Sequence, residues 1–334
     1  MADENQCYEQ CVHVSLAVVP ENGEDSFTFH RDARSGFLCV ADGCGGLGAR
    51  RYANMDGHTG AYLASRIVTE CLGRWEAQGA IQIPQTKEEG KALCALLAKH
   101  LSEEMRRFET TYASESSIRI VGRMQRSLPT TLCAASFRHV PQNMVDCLYL
   151  WAGDSRGYLL TENGLHQMTT DHTAKPADAL EGLYTDAPLQ NMINADVPFR
   201  LSARRIRTQS PCVVITATDG AFVYLPTPME FEWLLLSTLK DSSSLNAWEK
   251  RLANVLKKVT SDDCTLLMAI VGFESFDELK SRMEARQLTL QQEFITPVRR
   301  RKQRLDFARV TWDMYQQEYD WTEGKADDEL DWRV

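Results

Sequence analysis

The run Cys147-Leu148-Tyr149-Leu150-Trp151-Ala152-Gly153-Asp154-Ser155-Arg156-Gly157-Tyr158-Leu159-Leu160-Thr161-Glu162-Asn163-Gly164 carries the pattern on which the fold turns. Two apolar stretches, Cys147 to Ala152 and Gly157 to Leu160, flank a short polar break, and the second runs into Glu162-Asn163-Gly164, a hairpin-turn signal. Strands this short and this closely punctuated pair antiparallel, because a parallel pair needs a long crossover. Leu132 to Phe137 adds a strand upstream, and Val213 to Ala217 and Cys264 to Val271 add buried strands downstream.

Toward the N-terminus, Cys11 to Val19 alternates as a first strand and Phe37 to Val40 reads as a central one. Apolar residues recur at helical spacing in His58 to Trp75 and Lys87 to Thr111, and again in Met229 to Leu239 and Leu245 to Val259. Strands in groups and helices in groups predict an α+β protein rather than a doubly wound parallel sheet. Pro176 to Pro198 lacks periodicity and reads as a mobile excursion near a site. Beyond Phe273 the chain becomes charged and helical, over Phe276 to Gln292 and roughly Arg300 to Tyr319, with Trp312, Tyr315 and Tyr319 on one face. The division expected is a main domain over residues 8–273 and a helical, charged C-terminal extension over 274–334. The aromatic stripe should pack on the main domain, and the acidic end from Asp327 to Val334 should fray.

Composition narrows the function. The 334 residues carry a net charge of −9, which argues against general nucleic-acid binding, since phosphate backbones attract basic surfaces. The basic run Arg299-Arg300-Arg301-Lys302-Gln303-Arg304 could meet nucleic acid, an acidic partner or a membrane surface, but the favoured reading is a solvated helix face compensated by the acid-rich segment after Asp313. No apolar stretch approaches the roughly 18 residues needed to span a bilayer, and the acidic start Met1-Ala2-Asp3-Glu4-Asn5 has no secretory pattern. A cytoplasmic protein without membrane partners is expected. The ten cysteines form no C-x-x-C pair and read as reduced, mostly buried thiols; Cys7 and Cys11 lack the further ligands a metal site needs.

Five acidic signatures stand apart: Gly23-Glu24-Asp25, Val40-Ala41-Asp42-Gly43, Gly153-Asp154-Ser155-Arg156, Thr218-Asp219-Gly220 and Ser261-Asp262-Asp263. Four adjoin β-like apolar runs. Carboxylates at strand ends can converge in space, and hard oxygen ligands suit magnesium or manganese. Gly43, Gly45 and Gly48 also match a dinucleotide fingerprint, with Glu70 downstream. The antiparallel pattern and the aspartate ahead of the first glycine weigh against that alternative.

In order and spacing, Glu24-Asp25-Ser26-Phe27, Val40-Ala41-Asp42-Gly43-x-Gly45-Gly46, Thr130-Thr131-Leu132, Trp151 to Leu160, Thr170-Asp171-His172-Thr173, Thr218-Asp219-Gly220 and Asp262-Asp263-x-Thr265 resemble the metal-dependent serine/threonine protein phosphatases of type 2C, in their bacterial style. The resemblance covers about Val12 to Gly272. It implies a β-sandwich of two antiparallel sheets flanked by helices, and two divalent cations, Mn2+ or Mg2+, at one end. It assigns Asp42 to both ions, the Gly43 carbonyl to one, Asp219 and Asp262 to the other, and Glu24 and Asp25 to metal-bound waters. Asp42, Asp219 and Asp262 would thereby carry catalysis, the hydrolysis of phosphoserine or phosphothreonine by metal-activated water. A phosphorylated protein, in a serine/threonine kinase pathway, is the implied partner.

Asp154 has two readings, a third metal site or a local pair with Arg156 that orders the hairpin; Val223 stands where the family commonly supplies another aspartate. Asp171 and His172 are read as structural. Pro20 stands where many relatives carry a phosphate-binding arginine, and Cys44 replaces the histidine of eukaryotic members. Arg34, Arg50 and Arg51 are the replacement cations on offer. These departures keep two alternatives open: a phosphatase-like regulatory or binding module with weak catalysis, and a hydrolase of small phosphorylated molecules.

Overall fold

A computed structural model describes residues 11–32, 34–113, 125–174, 178–184, 187–300, 304–321 and 332–334. The chain builds β1 (Cys11–Leu16), β2 (Ser26–Arg31) and β3 (Ser35–Ala41), then helices α1 (Gly60–Ala77) and α2 (Lys87–Tyr112). Strands β4 (Leu132–Val140), β5 (Met144–Ala152), β6 (Arg156–Thr161), β7 (Gly164–Gln167), β8 (Ser202–Gln209) and β9 (Cys212–Ala217) follow. After α3 (Pro228–Lys240), α4 (Leu245–Val259) and β10 (Cys264–Val271) come α5 (Phe276–Thr289), the short α6 (Thr296–Arg299), α7 (Arg304–Tyr319) and β11 (Trp332–Arg333).

The strands form two antiparallel sheets, a five-stranded one ordered β1-β10-β9-β6-β7 and a six-stranded one ordered β11-β8-β5-β4-β3-β2. The expected α+β sandwich flanked by helices is what the chain folds into. Side chains that alternate along each strand fall into separate cores, because successive residues face opposite sides of a sheet. Leu38 and Val40 of β3, Tyr149 of β5, Val214 of β9 and Leu267 of β10 fill the space between the sheets. Phe37, Cys39 and Ala41 face the other way and pack with Leu63, Ala64 and Val68 of α1 and Leu97, Leu101 and Met105 of α2. The outer face of the five-stranded sheet packs on α3, α4, α5 and α7.

Four strands escaped the sequence reading. The edge strand β2 is short and half-exposed, and β7 has four residues. β8 reads Ser-Ala-Arg-Arg-Ile-Arg-Thr-Gln and has no apolar run, yet its Arg205 is fully buried because Asp146 of β5 accepts from Arg205 Nη2 at 3.2 Å and from Arg207 Nε at 2.6 Å. Of the end expected to fray, Asp327 to Asp331 lie outside the described residues, and the last three residues are docked: Trp332 and Arg333 pair with Arg205 and Arg204 as β11, and the Val334 amide donates to the Ala203 carbonyl at 2.9 Å. A sheet edge with free backbone groups accounts for that docking.

The aromatic stripe of α7 packs on its own molecule. Trp312, Tyr315 and Tyr319 are buried in the same core as α3 and β6. Arg286 of α5 donates to buried Glu232 of α3 at 2.7 Å and to Glu318 of α7 at 2.7 Å, and the Tyr315 hydroxyl donates to Glu232 at 2.5 Å. The basic run is compensated differently from the expectation. Arg299 pairs with Glu230 of α3 through two bonds, at 2.9 and 2.5 Å, rather than with the segment after Asp313. Arg301 to Gln303 lie outside the described residues, as do Cys7 and the first residues of the expected main domain. Replacing Trp312 with alanine should cost ~3–5 kcal/mol in urea denaturation, the range for emptying a buried aromatic site; a loss near zero would show that α7 is not part of this core.

Candidate metal centre

Strand alternation places the acidic signatures. Leu38 and Val40 face the inter-sheet core, so Asp42, two residues on, emerges at its end. Thr130 and Thr131 hold it there: the Thr131 amide donates to the Asp42 carbonyl at 2.8 Å, the Thr130 hydroxyl to the same carbonyl at 2.7 Å, and the Asp42 amide to Thr131 Oγ1 at 3.1 Å. Asp25 lies just ahead of β2. The hydroxyls of Thr218 and Thr265, from the ends of β9 and β10, donate to its Oδ2 at 2.7 and 2.8 Å, while its Oδ1 is buried with no hydrogen-bond partner.

Glu24 is positioned from both sides. Asp263 accepts from the Val18 amide at 2.7 Å and from the Glu24 amide at 2.5 Å, and Thr59, the N-cap of α1, donates its hydroxyl to Glu24 Oε1 at 2.5 Å. A Cβ on Gly45 would stand 2.0 Å from Glu24 Oε2, so the glycine loop wraps a carboxylate. That occupancy and the antiparallel sheets remove the dinucleotide reading. A Cβ on Gly220 would lie 1.9 Å from the Asp263 carbonyl oxygen, which locks the Asp219 turn against the loop that opens β10.

The carboxylates feel one another. Burial first, then the charges of Asp219, Asp25, Asp154 and Asp262, push the Asp42 carboxyl well above the usual range. Asp25 and Asp219 are pushed up to about 7, by burial and then, after the two threonine bonds lower Asp25, by neighbouring aspartates. Asp154 rises to about 8, from burial and then Asp219. Asp262 sits on the exposed loop before β10 rather than opening the strand. Five sequence-remote aspartates and Glu24 therefore share one end of the sandwich.

The donor set fits a hard divalent cation: all oxygen, partly desolvated, with an orphaned oxygen on Asp25. Among the described residues no three His, Cys, Asp or Glu side chains close a coordination shell by themselves. The two facts are compatible, since charge repulsion reaches farther than a metal–oxygen bond and Mg2+ keeps several waters beside one or two carboxylates.

The profile of the Protein phosphatase 2C family matches residues 19–268. The chain belongs to this family. Solved structures share the fold: the serine/threonine phosphatase of S. agalactiae (15% identity, TM-score 0.56, 79% of this chain and 100% of that one) and the serine/threonine phosphatase Stp1 from Staphylococcus aureus (18%, 0.55, 79% and 96%). PppA, a regulatory component of the type VI secretion system in Pseudomonas aeruginosa, is similar as well (18%, 0.53, 80% and 98%). No curated protein matches the chain. Among the described residues, no helix is long and apolar enough to cross a membrane.

Within this phosphatase 2C fold, the three arginines separate. Arg34 lies exposed in the β2–β3 turn, and Arg50 pairs with Glu109 at 2.5 Å. Arg51 lines a cavity of about 440 Å3 together with Glu24, Asp262 and Asp263, beside Val18 and Val19 of the turn that contains Pro20. His58, stacked on Tyr62 at 3.8 Å, lines the same cavity. Neither Thr59 nor His58 was singled out from the sequence, although a Thr before a helical run is a capping signal.

Of the two readings of Asp154, the local hairpin pair with Arg156 is not made. Arg156 instead donates through Nε and Nη2 to Asp171 at 3.0 and 2.7 Å, a bidentate, charge-assisted pair. His172 is structural too: its Nδ1 accepts from the Gly153 amide at 3.2 Å. Cys44 is held as a thiol, its pKa pushed well up by burial and by Asp42.

Raised carboxyl pKa values have a stability consequence. A group that keeps its proton longer when folded contributes stability present below its unfolded value, near 4, and lost as pH climbs through its folded value, here about 7 to 8. In chelator, the melting temperature should fall by about 3–6 °C between pH 5 and pH 8.5, and Mn2+ should restore it at the upper pH. A melting temperature that rises over this interval and ignores Mn2+ would contradict the arrangement.

Proposed function

We propose that this phosphatase 2C family member hydrolyses phosphoserine and phosphothreonine in proteins at a binuclear divalent-metal site. The observation that carries the reading is that the charges of Asp219, Asp25, Asp154 and Asp262, from four separate places in the sequence, all act on buried Asp42. Asp42 and the Gly43 carbonyl would hold one cation, Asp42, Asp219 and Asp262 the other, with Glu24 and Asp25 reached through water. Mn2+ or Mg2+, when bound, acidifies water for attack on phosphorus and neutralises the phosphoryl oxygens.

The residues of the chain do the rest. Thr218 and Thr265 keep Asp25 Oδ2 engaged, while the buried Oδ1 has no hydrogen-bond partner. Arg51 supplies the cation that faces the substrate phosphate in the place Pro20 leaves vacant. Water attacks phosphorus, the phosphorus–oxygen ester bond breaks, and the released serine or threonine oxygen takes its proton from water. Asp154 is kept as a third, weaker metal position, since Arg156 is committed to Asp171. The implied substrate is a phosphorylated protein in a kinase pathway.

Asp42→Asn and Asp219→Asn should each lower Mn2+-stimulated hydrolysis of an aryl phosphate and a phosphothreonine peptide by at least about a hundredfold. Full activity in chelator, or mutants that match the native chain, would reject the catalytic reading and leave a binding module. Arg51→Ala should raise KM for both substrates about tenfold while Mn2+ activation stays native; an unchanged KM removes Arg51 from the phosphate site.

A further inference from the structure

The family match ends at residue 268, so α5, α6 and α7 lie beyond it. They nevertheless reach the wall behind the carboxylates. Tyr319 of α7 is buried with its ring 5.2 Å from Trp312 and 6.4 Å from Tyr158 of β6, and its hydroxyl donates to Gln167 Oε1 of β7 at 2.9 Å. Tyr158 and Tyr319 both lie within electrostatic reach of Arg156, the first residue of β6. Arg156 is itself buried, binds Asp171 with two nitrogens, and sets its guanidinium carbon 4.3 Å from the ring centre of Phe222. Phe222 and Val223 then close the turn of Asp219, donating their amides to its carbonyl at 2.9 and 2.8 Å. A second tie runs from α7 to the segment after β7, where Arg309 donates to Asp178 at 2.8 Å.

We infer that α7 is a working part of the phosphatase site: Tyr319, backed by Trp312, packs on Tyr158, whose ring meets Phe222 at 6.1 Å, and Phe222 in turn holds Arg156 as a positioning residue that fixes the Asp219 turn and, through Asp171, the segment after β7. The inference rests on the metal-site reading above. A guanidinium shut away from water keeps its place only while its carboxylate and its aromatic neighbours stay in place. Loss of the Tyr319 ring admits water beside Arg156, the stack on Phe222 loosens, and the Asp219 carboxylate leaves the position that a cation requires. Misplacement of such a group by about 1 Å is enough to cost about a hundredfold in rate. The clamp of Arg286 on Glu232 and Glu318 explains how the helix is held firmly enough to act this way.

The test is Mn2+ binding by calorimetry on the full chain, with kcat and KM measured on an aryl phosphate. Tyr319→Ala should weaken Mn2+ binding and lower kcat at least about tenfold with little change in KM, while Tyr319→Phe, which keeps the ring, stays within about twofold of native on both. Arg156→Lys should behave like Tyr319→Ala, because lysine cannot bind Asp171 in two places. Phe222→Leu removes the stacked ring from the other side; it decides the matter if Tyr319→Ala does not fold. Met283→Ala, in the buried face of α5 and outside this series of contacts, should lower the melting temperature without weakening Mn2+ binding. The inference is overturned if folded Tyr319→Ala and Phe222→Leu bind Mn2+ natively, or if Met283→Ala weakens binding as much as Tyr319→Ala does. Should Asp42→Asn remain active, the metal reading fails first; should Asp42→Asn be dead while the α7 variants are native, only this inference falls.

Discussion

Repulsion among carboxylates crowded into one end of the sandwich is the constraint on which the rest of the molecule depends. Asp42 faces four other aspartates in a place where water is scarce. Such a cluster survives only on a rigid frame, since a loose one would relax by moving its charges apart. The frame is visible in the threonines. Thr130 and Thr131 clamp the backbone of Asp42, and Thr218 and Thr265 grip one oxygen of Asp25. Each is a short hydroxyl at the end of a strand whose other residues fill a core, so the rigidity of the sheets passes directly to the acids.

The parts of this design that follow from local pattern were legible in the sequence. α4 and β10 have the ends the periodicity predicts, and the grouping of strands and helices pointed to the sandwich. The parts that follow from distant partners were not. β8 looks like a polar loop until Asp146 is placed beside Arg205 and Arg207, because the charge that makes those arginines buriable comes from another strand. Arg156 likewise looked like a partner for its sequence neighbour Asp154, and only the return of the chain after β7 brings Asp171 to it. For the site, the acidic motifs pointed to the right corner of the fold, while the supporting Thr59 and His58 and the separation of Arg51 from Arg50 needed the loop ahead of α1 to be seen in space.

The outer layers divide the labour. α1 and α2 cover one sheet with an apolar face, as amphipathic helices ordinarily do. The other sheet is covered by α3 and α4 and then by the C-terminal helices, whose contacts include buried charge. Arg286 and Tyr315 both donate to buried Glu232, and Arg286 also reaches half-exposed Glu318, so the desolvation of the buried Arg286 and Glu232 charges is offset by their neighbours. An apolar seam would hold these helices equally well; a charged one also sets their register, and register decides which face of α7 meets β6.

Asp263 joins the amides of Val18 and Glu24, and β1 pairs with β10, so the beginning of the polypeptide is organised by residues made some 240 positions later. On a ribosome, which emits the chain from its first residue onward, the five-stranded sheet has no partner for β1 until β10 has left the exit tunnel. Growing chains therefore carry the early acids Glu24, Asp25 and Asp42 before the strand that ties them to Asp262 and Asp263 exists.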